Sequence, residues 1–126
     1  MFDRELVLAD LKNTLWALEQ IQKRFAAIDS PEDFTKDDTG LEKLDSICMQ
    51  LINIGEALKH IDTLTSGEVL SEYPEIDWKK VKGLRDIITH HYFDRDAEII
   101  FSVCKERIQP LWLCIRRMIS NIEISQ

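Results

Sequence analysis

The chain has 126 residues, 44% of them hydrophobic and 31% charged, with a formal net charge of -7, three Pro and four Gly. That length closes one hydrophobic core around a few helices, so residues 1–126 read as a single domain, and too few turn formers are present for a sandwich or barrel, which needs a turn every ~10 residues. The acidic balance repels polyanions and excludes general coating of nucleic acid, leaving room for a local basic site built from Lys79, Lys80, Lys82 and Arg85, with Arg116 and Arg117 further on.

Acidic residues stand in MFDRELVLADLK where a signal peptide carries a basic and then an apolar run. No apolar run approaches the ~20 residues of a membrane span, so a cytoplasmic protein without a membrane partner is expected. Cys48, Cys104 and Cys114 lack CxxC spacing and sit among apolar neighbours. They read as reduced, mostly buried thiols.

From Phe2 to Ile28, Leu8, Leu11, Leu15, Leu18, Ile21, Phe25 and Ile28 recur at spacings of three and four, which predicts one long helix. Ser30-Pro31-Glu32-Asp33 is a helix-start pattern, with Ser as cap and Pro in the first turn, but it has space only for a short helical linker. Thr39-Gly40-Leu41-Glu42 fits a capping box, and Leu41, Leu44, Ile47, Cys48, Leu51, Ile54, Leu58 and Ile61 carry a second long helix to about Leu64. Gly55 interrupts it at a cost of ~1 kcal/mol relative to Ala, which suits a close approach by another backbone or side chain.

Thr65-Ser66-Gly67 ends that helix, and the segment through Tyr73-Pro74 reads as the longest loop. Asp77 is placed to cap a third helix bearing Trp78, Val81, Leu84 and Ile88 on one face. Asp94 or Asp96 caps a fourth, whose stripe runs from Ile100 to Ile119 and which Pro110 bends or loosens. The expectation is an all-α, up-and-down bundle of three long helices and one shorter helix.

The shorter helix carries the chemistry. Arg85-Asp86-Ile87-Ile88-Thr89-His90-His91-Tyr92 gathers an arginine, two of the three histidines and a tyrosine at its end. At about 100° per residue Arg85 aligns with Tyr92 and Asp86 with His90, while Arg85 and His90 stand about 140° apart. Either the helix ends near His90 and its ring swings toward Arg85, or a second subunit completes the site.

Such a set suits RNA cleavage without metal: a histidine takes the proton of a ribose 2′-hydroxyl or supplies one to the leaving 5′-oxygen, and an arginine holds the phosphate. Taken by spacing alone, Arg and His on a last helical turn are more commonly surface residues that favour the helix dipole. Tyr92 alone reads as half-buried packing, His91 as a core-edge histidine, and the lysines as a solvated face. His60, His90 and His91 have no companion carboxylate at ligand spacing, so no metal and no cofactor are expected.

Arg85-x4-His90-x-Tyr92, preceded by Ile76-x-Trp78 and by Gly55-Glu56-Ala57, and followed by a helix carrying Pro110-Leu111, resembles the HepT toxins of the HEPN superfamily from Phe2 to about Ile119. The resemblance implies a helical homodimer in which two Arg-x4-His motifs face one cleft and act as a metal-independent ribonuclease toxin. It also implies a partner, the minimal nucleotidyltransferase antitoxin MntA, which adds AMP to the motif tyrosine. Carried over, Arg85 binds the scissile phosphate, His90 is the acid/base and Tyr92 accepts AMP. RNA contact by Lys79 and Lys82 is the secondary reading of their charged face, beside the solvated one. Family members often have Asn where this chain has Asp86. A charge there weakens phosphate binding unless it turns toward Arg85 or His90, where it supports the site and raises the His pKa. The alternatives are a non-catalytic adaptor or nucleotide-binding subunit that positions a nucleotidyltransferase, and a purely structural helical dimer.

Overall fold

The computed structural model describes residues 2–90 and 96–124. These form the expected all-α bundle, with eight helices and no strand among the described residues: α1 (Arg4–Phe25), α2 (Glu32–Thr35), α3 (Asp38–Thr65), α4 (Glu68–Ser71), α5 (Trp78–Lys82), α6 (Leu84–His90), α7 (Ala97–Glu106) and α8 (Ile108–Ile124). Helix α1 packs on α3 and α8, while α5 and α6 lie against α3.

Within α1, Leu11, Leu18 and Ile21 are buried as their spacing requires, but Val7, Thr14 and Ala17 join them and Leu8, Leu15 and Phe25 are only half-buried. The stripe is rotated toward the second neighbour, because α1 must cover α8 as well as α3. Thr14 can be buried because its hydroxyl donates to the Asp10 carbonyl at 2.8 Å. Asp3 caps the helix, accepting from the Leu6 N–H.

Both caps expected in the next segment are displaced. Ser30 does not cap α2; instead Asp33 reaches back and accepts from the Asp29 and Ser30 N–H groups at 2.7 and 3.3 Å. Helix α3 begins at Asp38 rather than after Thr39, because Asp37 accepts from the Gly40 N–H at 2.7 Å and so takes the cap. Gly40 then falls inside the first turn, pressed so closely on α2 that an added β-carbon would lie 2.1 Å from the Asp33 carbonyl oxygen.

The end of α3 follows the sequence expectation: Ser66 at φ 52° and Gly67 at φ 76° turn the chain left-handed. The segment beyond is more ordered than a loop. It contains α4, and Tyr73 is buried with its hydroxyl accepting from Asn121 at 2.9 Å. The Trp78 indole N–H donates to the Tyr73 carbonyl at 2.9 Å, and Arg117 lies over the Tyr73 ring while pairing with Glu75. These contacts fix the approach to α5 against α8.

The two C-terminal helices of the sequence reading are each broken in two. The motif helix splits at Gly83 into α5 and α6, and Asp77 caps α5 as expected, accepting from the Lys80 N–H at 3.2 Å. The final helix splits at Arg107, three residues before Pro110. Proline lacks the N–H that would bond the Glu106 carbonyl, so the break falls one turn ahead of it, where Pro110 sits in the first turn of α8 and its missing donor costs least. Asp96 caps α7 through the Ile99 N–H; Asp94, the other candidate, lies outside the described residues.

Candidate active site

Helix α6 reaches the site through Gly55. Position 55 is buried on α3, and a β-carbon there would meet the Lys82 and Val81 carbonyl oxygens at 3.4 and 3.5 Å and the Arg85 backbone nitrogen at 3.9 Å. The missing side chain lets the α5–α6 junction sit directly on α3. Leu84 and Ile88 turn inward and are buried, so Arg85, Asp86 and Thr89 face solvent, and His90 occupies the C-terminal end of α6. Tyr92, with His91 and Phe93, lies outside the described residues.

Arg85 leaves α6 toward α3, where its Nη1 donates to Glu56 Oε1 at 3.0 Å. The two side chains are 52% and 48% exposed, so the pair lies at the surface with solvent access to both partners. Lys59, one turn along α3, lies 3.9 Å from the same Glu56 oxygen. Glu56 was legible only as part of a family motif. The physical signal was its neighbour, since a glycine that admits an approaching backbone puts the next residue beside whatever approaches.

The remaining basic residues are placed unequally. Lys79 is exposed on α5. Lys82 is half-buried and pairs with Asp62 on α3, and Lys80 lies 4.0 Å from Asp77. Arg116 stacks 4.7 Å above Trp112 on α8, and Arg117 is engaged by Glu75, so neither belongs to the α5–α6 group by its contacts. Behind α6 a cavity of about 260 Å³ opens between helices, lined by Leu51, Ile54, Leu84, Ile87, Val103 and Leu111 among others. Its lining is apolar apart from Lys80 and Arg107.

Another pair lies across the α1–α3 face: His60 Nδ1 is 2.5 Å from Asp10 Oδ2. It is remote in sequence from the motif of α6.

The fold and this site define a class: an all-helical bundle with an arginine displayed ahead of a histidine at a helix end. The family described as "Ribonuclease HepT-like" matches residues 14–118, and the chain belongs to it. This is a ribonuclease family of the HEPN superfamily, and its members are RNA-cleaving enzymes. The chain is similar to "Putative RNase MJ0127" of Methanocaldococcus jannaschii, 32% identical over 97 residues, covering 72% of this chain and 77% of that protein. It is also similar to "Putative RNase TTE0752" of Caldanaerobacter subterraneus subsp. tengcongensis, 30% identical over 101 residues, 80% of this chain and 83% of that one. No solved structure matches the chain significantly.

Proposed function

We propose that this chain is the toxin of a toxin–antitoxin pair: a single-domain, metal-independent endoribonuclease that works on cytoplasmic RNA as a homodimer and is silenced by AMP transfer to Tyr92. The observation that carries the reading is the family match across residues 14–118, which spans the exposed Arg85 and the His90 five positions beyond it at the end of α6. In the reaction, the ribose 2′-oxygen bonds to phosphorus as His90 takes its proton, and the bond from phosphorus to the 5′-oxygen breaks. The leaving oxygen takes a proton from the second His90 of the dimer, leaving a 2′,3′-cyclic phosphate. Arg85 neutralises the charge that accumulates on the phosphoryl oxygens. Asp86 supports His90, and Lys79 and Lys82 guide the RNA backbone.

The partner is a minimal nucleotidyltransferase. It directs the Tyr92 hydroxyl to the α-phosphorus of ATP, releasing pyrophosphate and leaving an added negative charge where RNA phosphate must enter. The test is cleavage of a labelled RNA in excess EDTA. Wild-type protein cuts, and Arg85→Ala and His90→Ala abolish both cutting and growth arrest while keeping the helical spectrum. Mixing with the nucleotidyltransferase and ATP adds AMP to the peptide that holds Tyr92. A wild-type protein that cuts no RNA but binds the nucleotidyltransferase tightly is the adaptor instead, a reading that the net charge of -7 favours.

A further inference from the structure

The geometry points to Glu56 as the positioning residue of the nuclease site: it fixes the Arg85 guanidinium by one N–H and leaves the other donors of the fork for an RNA phosphate. The inference rests on the ribonuclease reading above and deepens it.

A free arginine side chain on an exposed helix face samples many rotamers, and a phosphate that must first order it loses binding and rate to that entropy. Arg85 is not free in this sense. Its Nη1 is bonded to Glu56 Oε1 at 3.0 Å, across a helix–helix contact rather than along one helix. The two helices come this close because the space at position 55, the preceding residue, takes nothing larger than a methyl group, with the Arg85 backbone nitrogen 3.9 Å from where a β-carbon would be. Glycine and glutamate thus act as a unit: the first brings α6 in, and the second takes hold of the side chain that arrives.

A guanidinium has five N–H donors in a planar fork, and a carboxylate that binds through one nitrogen leaves donors for a second anion. The carboxylate charge itself opposes an approaching phosphate. That opposition is weakened here because Glu56 is about half exposed, where water screens it, and because Lys59 stands 3.9 Å from the same oxygen.

The experiment is steady-state cleavage of a fluorophore-labelled single-stranded RNA containing all four bases by the full chain. It compares wild type, Arg85→Ala, Glu56→Ala, Glu56→Met and Glu56→Gln, with thermal unfolding of each. Met keeps the volume and helix propensity without the acceptor, which keeps the comparison valid if the alanine variant folds poorly. Gln keeps an acceptor oxygen and removes the charge. The expected result is a kcat lower by roughly tenfold for Ala and Met, the scale of a misplaced catalytic group. With Gln, most of that kcat returns and KM falls below wild type. Unfolding midpoints stay together throughout.

If wild type cuts and Arg85→Ala does not, but Ala and Met at 56 retain wild-type kcat, Glu56 is a bystander and the inference is overturned while the site stands. An increase in kcat/KM for Ala and Met would overturn it in the other direction, making Glu56 a competitor of RNA. If Arg85→Ala cuts as well as wild type, the site reading fails and takes the inference with it.

Discussion

Gly55 on α3 and Lys82 on α5 meet backbone to backbone, with only 3.4 Å between the Lys82 carbonyl oxygen and the place a β-carbon would take at position 55. That distance is ordinary contact for one methyl group and clash for anything larger. Gly55→Ala is therefore accommodated, and with up to ~1 kcal/mol of helix propensity gained in the middle of α3 the variant is at least as stable as wild type. Gly55→Leu forces the α5–α6 junction outward, costs about 1–3 kcal/mol, and carries the Arg85 backbone away from Glu56. Urea unfolding with RNA cleavage on the same samples checks both: the alanine variant cleaves as wild type does and unfolds at no lower urea, and the leucine variant loses activity beyond what its unfolded fraction explains.

Gly40 makes the opposite case, although both glycines lie inside the same helix. A β-carbon at position 40 falls 2.1 Å from the Asp33 carbonyl oxygen and 3.0 Å from that of Phe34, and backbone on the α2 side cannot swing away as a side-chain tip would. Gly40→Ala gains helix propensity and still loses, by about 3 kcal/mol at the upper end of overpacking costs. A fall in the thermal midpoint of Gly40→Ala beside an equal or raised one for Gly55→Ala would separate the two positions.

The contrast shows where the sequence was sufficient and where it was not. Periodicity located the long apolar stripes of α1, α3 and α8, since Leu11, Leu18, Ile47, Leu51, Leu58 and Ile115 are buried wherever the helices pack. It could not place the α2–α3 caps, because Ser30, Asp33, Asp37 and Thr39 are all competent cap residues within ten positions and only the close fit of Gly40 on Asp33 selects Asp37. Nor could it break the motif helix at Gly83, where the apolar spacing of Val81, Leu84 and Ile88 runs on unchanged. At the site, spacing alone read Arg85 and His90 as surface residues and only the family likeness singled them out, while Glu56 lies 29 positions from Arg85 along the chain and only the folded contact connects the two.

The three thiols make a chemical prediction. Burial pushes Cys104 up to about 12 and Cys114 up to about 11, with nearby Cys48 and Glu75, respectively, adding to the effect. Both stay protonated at neutral pH, and the thiolate is the reactive form. Cys48 is half-buried, and no disulfide joins the three. Titration of the native protein with an aromatic disulfide reagent at pH 7.5 should modify Cys48 first and leave Cys104 and Cys114 slow, with all three reacting at once in concentrated urea. Rapid modification of Cys104 in the native state would mean that α7 opens from α8 far more readily than its packing implies.

Asp33 sets the acid side of stability. Its carboxyl is held below the ordinary aspartate range first by the bond from the Asp29 N–H and next by Lys36, whose ammonium lies 3.0 Å away. A carboxyl whose folded pKa lies below its unfolded value binds fewer protons in the folded state, so its contribution is complete above the unfolded value, about 3.9, and is lost as pH falls through the lower folded one. Asp33→Asn removes that titration: the variant is less stable than wild type at pH 7, and the difference shrinks as pH drops below about 4. Because Asp33 also supplies the carbonyl against which Gly40 packs, the backbone contact remains in the Asn variant and the loss isolates the side chain. Thermal midpoints measured from pH 7 down to pH 2 decide it, and parallel curves for the two proteins would show that the turn between α1 and α2 holds without its carboxylate.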